Sequence, residues 1–240
     1  SEAYADEGET VSDYFNPTRK REIAELEFGF LQKICPNPGK LLDVGAGAGI
    51  FAELAAGKGW RVTAVDPALD EKMIKNTLVK PIKGTIENLS EEDMYDVITM
   101  WDVIEHAMNP IDLILCAKKH LNKGGWLIVE TGNYKSTGRI VEMKRHWIYQ
   151  LDHKWYFSPE GLQKLLAKQG FSDIVFSEKM LRPGAEESGP YIGPSRLLLL
   201  KSIMKNPFNI YKGISIYFSL LKAKNWKMAS IEIFAMAAKK

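Results

Sequence analysis

The sequence predicts an α/β fold, a mostly parallel sheet with helices on both faces, and three stretches carry that reading. Lys40-Leu41-Leu42-Asp43-Val44 is a short apolar strand that runs into Gly45-Ala46-Gly47-Ala48-Gly49 and then into a helix over about 51–58. A second strand, Arg61-Val62-Thr63-Ala64-Val65, ends in Asp66, seventeen residues after Gly49. Two more apolar runs, Asp96-Val97-Ile98-Thr99-Met100 and Trp126-Leu127-Ile128-Val129-Glu130, bracket a helical pattern at 110–120. Strands that alternate with helices are joined by crossovers and lie parallel.

The remaining elements follow in order. Pro17 and Thr18 precede a helical pattern that runs through Lys33, with Ile23, Leu26, Phe30 and Ile34 at three- and four-residue steps, and Cys35-Pro36-Asn37-Pro38-Gly39 breaks it. It makes 1–36 a region that caps the ligand side of the sheet. Residues 67–76 read as a short helix and 80–83 as a third strand, followed by the loop Gly84-Thr85-Ile86-Glu87. The fourth strand, 96–100, continues directly into Trp101-Asp102-Val103-Ile104-Glu105-His106. In open α/β sheets the ligand crevice lies beyond the strands' carboxyl ends, so 100–106 should face it. Leu113, Ile114 and Ala117 share one face of the next helix. Asn122-Lys123-Gly124-Gly125 is a turn and 126–130 the fifth strand. Ser158 as N-cap and Pro159 in the first turn open a helix that runs through Leu162, Leu165 and Leu166 to Gly170. A sixth strand lies at 173–177.

Length and composition set outer limits. At 240 residues the chain can bury a full core as a single domain over 1–240. A hydrophobic share of 45% and a charged share of 26% are those of an ordinary globular protein. The net charge of +2 gives no reason to expect a nucleic-acid partner. Cys35 and Cys116, the only cysteines, make neither a zinc site nor a disulfide framework, which fits a reducing cytoplasm. No apolar run approaches the roughly 20 residues that span a bilayer, so no stable membrane insertion is expected. The opening Ser1-Glu2-Ala3 does not read as a signal peptide, and its lack of Met suggests a processed or trimmed start.

The glycine turn has a specific chemistry. Without a Cβ at Gly45, Gly47 and Gly49 the backbone bends sharply and admits a ligand closely. The helix that follows aims its first N–H groups at that ligand. Asp66 stands where an acid can accept from both hydroxyls of a ribose. A dinucleotide loop requires GxGxxG, and Ile50 occupies the position of its third glycine. Asp43, two residues before Gly45, would repel a pyrophosphate and suits an ammonium and a sulfonium. A plain strand–helix turn with incidental glycines and a dinucleotide site both stay open on the loop alone.

Together with Asp96-Val97-Ile98, Ile104-Glu105-His106, the run from Leu121 to Thr131 (LNKGGWLIVET) and Tyr156-Phe157-Ser158-Pro159-Glu160, these residues resemble the class I methyltransferases. More closely, they resemble the methyltransferase-23 group that includes quinone-biosynthesis O-methyltransferases. The resemblance covers about 14–180 and a final strand at 230–237. It implies a Rossmann-like sheet of seven strands, the last antiparallel, with S-adenosylmethionine as cofactor and S-adenosylhomocysteine as product. It implies cofactor contacts from Asp43, Gly45, Ala46, Gly47, Gly49, Asp66 and Pro67. At the adenine, relatives often use an acid; here the position holds Thr85, leaving a hydroxyl contact and the backbone of Ile86. Met100, Trp101 and Asp102 would face the methionine end. The acceptor is expected to be a small molecule methylated on oxygen. The alternative is a nucleic acid or protein, although no NPPY or DPPY follows the fourth strand, where the chain reads Met100-Trp101-Asp102-Val103.

A hydroxyl acceptor needs a base, and histidine titrates near neutrality. His106 is the leading candidate, with Asp102 and Glu105 near enough in sequence to orient it, to bind a cation or to fix the cofactor's ammonium. A capping or packing role for His106 is equally open. His146 and His153 compete with it from a long loop, 131–157, rich in aromatics (Trp147, Tyr149, Trp155, Tyr156). Loops of that length in a compact domain are usually functional, here as a lid over the acceptor; Trp147 and Trp155 could equally pack on the next helix. Asp152 beside His153 hints at a metal, but no third ligand is evident and no metal site is assigned.

The segment 180–228 carries eight Lys or Arg against Glu186 and Glu187. Apolar residues recur at helical spacing over 191–200 and 207–221. The pattern fits a cap over the acceptor site, a dimer surface, or a helix pair touching a membrane and a lipid-like acceptor. Monomer and homodimer both remain open.

Overall fold

The computed structural model describes residues 16–177, 179–183 and 231–240. Its centre is a seven-stranded sheet in the order β3-β2-β1-β4-β5-β7-β6. The strands are β1 (Lys40–Val44), β2 (Arg61–Asp66), β3 (Val79–Lys83), β4 (Tyr95–Trp101), β5 (Leu121–Gly132), β6 (Ser172–Phe176) and β7 (Ile233–Lys239). β1 pairs in parallel with β2 and β4, β2 with β3, and β4 with β5, while β7 runs antiparallel to both β5 and β6. The expected seven strands with an antiparallel last one are all present. The order reverses between β1 and β4, which opens the crevice at their carboxyl ends.

The described residues form five helices: α1 (Pro17–Ile34), α2 (Ile50–Gly57), α3 (Pro110–His120), α4 (Thr137–Glu142) and α5 (Pro159–Lys168). Their starts are written locally. Asn16, Asn109 and Ser158 cap α1, α3 and α5 through side-chain oxygens, each just before a proline. The core lies in two layers. One packs α3 and α5 on Leu42, Ile98, Met100, Leu127 and Val129. The other packs α1 and α2 on Leu41, Val62, Val97 and Ile128.

Five details differ from the sequence reading. Residues 67–76 form only a short 3₁₀ turn, Glu71–Met73. The N–H groups of Lys75 and Asn76 are taken by the Glu53 carboxylate of α2 instead of by a helical ladder. The glycines at 124 and 125 lie within β5, because the chain end pairs with them: Gly124 N–H donates to the Lys240 carbonyl and Lys240 N–H to Gly125. β7 begins three residues later than expected, its register set by Trp126 opposite Lys239 and Gly132 opposite Ile233. α1 buries Ala24, Glu27, Phe28, Phe30 and Leu31, so Ile23, Leu26 and Ile34 are only half-buried. The long loop contains α4 and two 3₁₀ turns, Met143–Arg145 and Trp147–Tyr149. The helices expected at 191–200 and 207–221, and residues 1–15 of the expected cap, lie outside the described residues.

Candidate functional site

The glycine turn folds as its composition dictates. Gly45, Gly47 and Gly49 have φ of 74°, 54° and 76°, in the left-handed region that side chains rarely adopt. A Cβ at Gly45 would collide with Val103, and one at Gly49 with Ile74. At Gly47 a Cβ would meet nothing within 4 Å. The outer two glycines therefore exist for close packing, and the middle one faces open space at the mouth of the crevice.

Asp66 is fixed before any ligand arrives. One carboxylate oxygen accepts from Gly47 N–H at 2.9 Å and the other from Ala68 N–H at 2.6 Å. Each oxygen keeps a lone pair for a diol. Pro67 is exposed in the turn beyond it. Thr85 begins the turn Ile86–Asn88, its N–H donating to Asn88 Oδ1 at 2.7 Å.

Burial limits what three of the expected positions can offer a ligand. Asp43 is 1% exposed and accepts from the Thr99 hydroxyl at 2.9 Å. Burial pushes its carboxyl up to about 7, with Thr99 pulling the other way. It lies beneath the glycine turn and presents no free surface to a ligand. Met100 and Ile86 point into the core at 0% and 1% exposure, leaving only their backbones for the crevice. Strand alternation explains Met100: its side chain belongs to the sheet face covered by α3 and α5.

The end of β4 is strained. Asp102 has φ 52°, a conformation that costs a non-glycine residue about 1 kcal/mol or more. Its carboxylate accepts from Arg182 Nη2 at 2.8 Å, while Arg182 Nη1 donates to Glu130 at 2.8 Å and lies 3.9 Å from Glu27. One guanidinium thus faces three carboxylates from α1, β5 and the end of β4. Burial would lower the Arg182 pKa, but Glu130, Asp102 and Glu27 outweigh it and hold the cation. Burial pushes Glu130 up to about 7 against the pull of Arg182, and it raises Glu27 as well. Two buried atoms here have no partner, Glu130 Oε2 and the indole Nε1 of Trp101.

Glu27, Glu130 and Arg182 escaped the sequence reading. Glu27 had a signal, since it interrupts the apolar face made by Ala24, Phe28 and Leu31. Glu130, like Asp66, is an acid at the end of an apolar strand. Arg182 had none, because its partners lie more than fifty residues away.

Beside this cluster the chain brings together Glu105, His106 and His153. One ligand atom from each lies within 4.8 Å of the others. His106 and His153 meet edge to face, ring centroids 4.8 Å apart. Lys154 and Trp155 N–H both donate to the Glu105 carbonyl, and the Trp155 indole donates to Ala107. These bonds zip 152–155 onto 104–108, a pairing no local pattern announced. His106 Nδ1 lies 3.1 Å from the Asp152 carbonyl and His153 Nδ1 2.8 Å from that of Ile148. A carbonyl only accepts, so in the neutral rings Nδ1 carries the proton and Nε2 keeps its lone pair. Burial lowers the His153 pKa, which favours the neutral ring. Glu105 Oε2 is buried without a partner, and burial followed by Asp102 pushes that carboxyl up to about 8. Two imidazoles and a carboxylate could together hold a divalent cation.

His146 is elsewhere engaged. It is 3% exposed, Nε2 lies 2.8 Å from Glu232, and Nδ1 accepts from Ile148 N–H at 3.3 Å. Neither nitrogen has a lone pair left for a substrate proton, which corrects its candidacy as base. Trp155 does not pack beneath α5; it is 43% exposed beside Tyr156. Tyr134, Tyr149 and Tyr156 stack with centroids 5.3–6.5 Å apart on the loop's outer side.

Comparison with known proteins follows the same outline. A family described as "Methyltransferase domain" matches residues 15–175. The ubiquinone biosynthesis O-methyltransferase of Rickettsia akari (strain Hartford) is 35% identical over 207 residues, covering 80% of this chain and 74% of that protein. The protein of the same name from Rickettsia felis (strain ATCC VR-1525 / URRWXCal2) is 34% identical over 153 residues, covering 58% and 62%. Among solved structures, a SAM dependent methyltransferase from Archaeoglobus fulgidus superposes with a TM-score of 0.59 at 19% identity, covering 96% of this chain and all of that one. Phosphoethanolamine N-methyltransferase 2 of Haemonchus contortus, bound to S-adenosylhomocysteine, gives 0.59 at 20% identity over 90% of this chain and 52% of that one. At such identities the structures share the fold.

Proposed function

This chain belongs to the S-adenosylmethionine-dependent methyltransferases, and from that premise we propose that it methylates a hydroxyl of a small molecule at the crevice beyond β1 and β4. The observation that carries the acceptor atom is the pair His106 and His153 with Glu105, each imidazole keeping one nitrogen free. When bound, the cofactor supplies a methyl group activated on a sulfonium. The open floor at Gly47 and the prepared carboxylate of Asp66 fit its adenosine. The unpartnered Trp101 indole, donor only, fits a carboxylate such as that of its methionyl end. Ala46 and the outer glycines shape the turn, and Thr85 with the Ile86 backbone borders the adenine.

In this reading His153 accepts the proton of the acceptor hydroxyl as the methyl group is transferred in line. His106 and Glu105 hold that hydroxyl at the reacting distance, which supplies much of the rate. The loop 131–157 walls the acceptor from water. The ubiquinone-pathway name of the relatives points to a hydroxylated ring as acceptor class. A second reading is favoured by the same cluster: Glu105, His106 and His153 hold a divalent cation that lowers the hydroxyl's pKa. Two unpaired cysteines fit a cytoplasmic setting; among the described residues no helix is long and apolar enough to cross a membrane.

Two binding experiments test the cofactor half. Titration calorimetry should give micromolar affinity for S-adenosylhomocysteine, on the order of −8 kcal/mol, and no heat with NAD; tight NAD binding would sink this assignment. Asp66→Ala should weaken S-adenosylhomocysteine binding by about 1.5–3 kcal/mol, the scale of a charged hydrogen bond. Unchanged affinity in a folded variant would remove Asp66 from the ribose site.

A further inference from the structure

We propose that Glu232, just before β7, is a positioning residue that acts through His146 to orient His153. The inference rests on the reading of His153 above.

Glu232 is 8% exposed and sits in a dense polar knot. Its Oε1 accepts from Gly138 N–H at 2.9 Å, and its Oε2 from the Ser136 hydroxyl at 2.6 Å. The His146 ring completes the knot, Nε2 lying 2.8 Å from Glu232 Oε2. The Ser136 hydroxyl turns to the carboxylate and not to the imidazole, so the trio is no nucleophile. The backbone ties the same place: Asn133 N–H donates to the Glu232 carbonyl and the Asn133 amide to Ile231. Ser136, Gly138 and His146 all belong to the loop 131–157, so one carboxylate anchors three points of it.

The bonds form a directional chain. A backbone N–H can only donate, so the bond from Ile148 fixes His146 Nδ1 as acceptor and puts its proton on Nε2. Glu232, an acceptor, stabilises that tautomer. His146 thereby caps the turn Trp147–Tyr149 and holds Ile148. The Ile148 carbonyl in turn accepts from His153 Nδ1 at 2.8 Å, which sets the tautomer and the heading of that ring. Glu232 therefore reaches His153 through His146 and Ile148 without touching substrate. A carboxamide breaks the chain. With its oxygen kept on Gly138 N–H, a glutamine would turn its NH₂ toward Nε2, move the His146 proton to Nδ1 and set it against the Ile148 N–H.

The test uses the full chain with ¹⁵N-labelled histidine. Long-range ¹H–¹⁵N spectra of the wild type should show His146 protonated on Nε2 and His153 on Nδ1. Glu232→Gln should flip His146 and release His153 from its single tautomer. Its kcat should fall about 10–100-fold, the effect of removing a partner that orients a working histidine, with affinity for S-adenosylhomocysteine unchanged. A wild-type spectrum with His146 protonated on Nδ1 overturns the proposal even if the variant fails to fold. So does an unaltered His153 tautomer in a folded Glu232→Gln. If the tautomers respond but His153→Ala keeps its turnover, the relay stands and the role of His153 in the reaction falls.

Discussion

Replacing His153 by alanine should lower kcat by about 10²–10⁴-fold, the contribution of a positioned general base, with affinity for S-adenosylhomocysteine unchanged. His153 lies between the Ile148 carbonyl and the His106 ring, half-buried, with its pKa lowered by burial and by His106 against the opposing hydrogen bond and nearby aspartates. A base works only when unprotonated. Wild-type kcat should therefore be lost as the pH falls through the His153 pKa, on an acid limb below the ordinary histidine value. His106→Ala should also slow the reaction, because its ring closes the same cluster. If both variants keep their turnover, the cluster takes no part in the chemistry. Exhaustive dialysis against a chelator separates the two readings of the site. Turnover that survives dialysis supports proton transfer to His153; turnover lost and then restored by a divalent cation supports the cation reading.

Arg182→Met should destabilise the fold by about 3–5 kcal/mol at pH 8, the cost of leaving buried charges without their partner. For a chain of this size that is a drop in Tm of roughly 6–20 °C. Glu27 and Glu130 are enclosed and Asp102 is partly open, so the first two bear most of the effect. The pH dependence has a definite sign. Burial raises the Glu130 pKa from 4.5 to about 7 in the folded chain. Between those values the folded state binds the extra proton, so stability falls as pH rises through this window. Without Arg182 the upward shift grows and the fall extends to higher pH. The variant should then lie closer to wild type at pH 5 than at pH 8 in calorimetric melts. A Tm within a degree or two of wild type at pH 8 would mean that the three carboxylates are not enclosed around this cation.

The two variants probe parts of the site that were unequally visible in the sequence. The glycine turn was legible because its requirements are local. A strand must turn within a few residues, three positions need positive φ, and the next strand must end in an acid within reach of the turn. The structure then bonds Asp66 to the Gly47 N–H of that turn. The helix start at 159 was legible for the same reason, a capping Ser158 followed by proline. The stretch 67–76 misled because its helical pattern competed with a carboxylate from another element, Glu53, which captured its N–H groups.

By itself the sequence determined the α/β class, the strand order along the chain, the ligand turn and its cofactor, and the three histidines offered as candidate bases. All of these rest on contacts between residues close in the chain, or on motifs that carry their own geometry. Only the tertiary structure decided which histidine is free. His106 and His153, 47 positions apart, meet because 152–155 pairs with the turn after β4. His146 is withdrawn because Glu232, 86 residues on, claims its ring. It also decided that Asp43 is sealed beneath the turn and that Arg182 holds three acids together. The physical reason is the same in each case. Burial and long-range pairing set the charge and the free lone pairs of a side chain, and neither is encoded in the residues beside it.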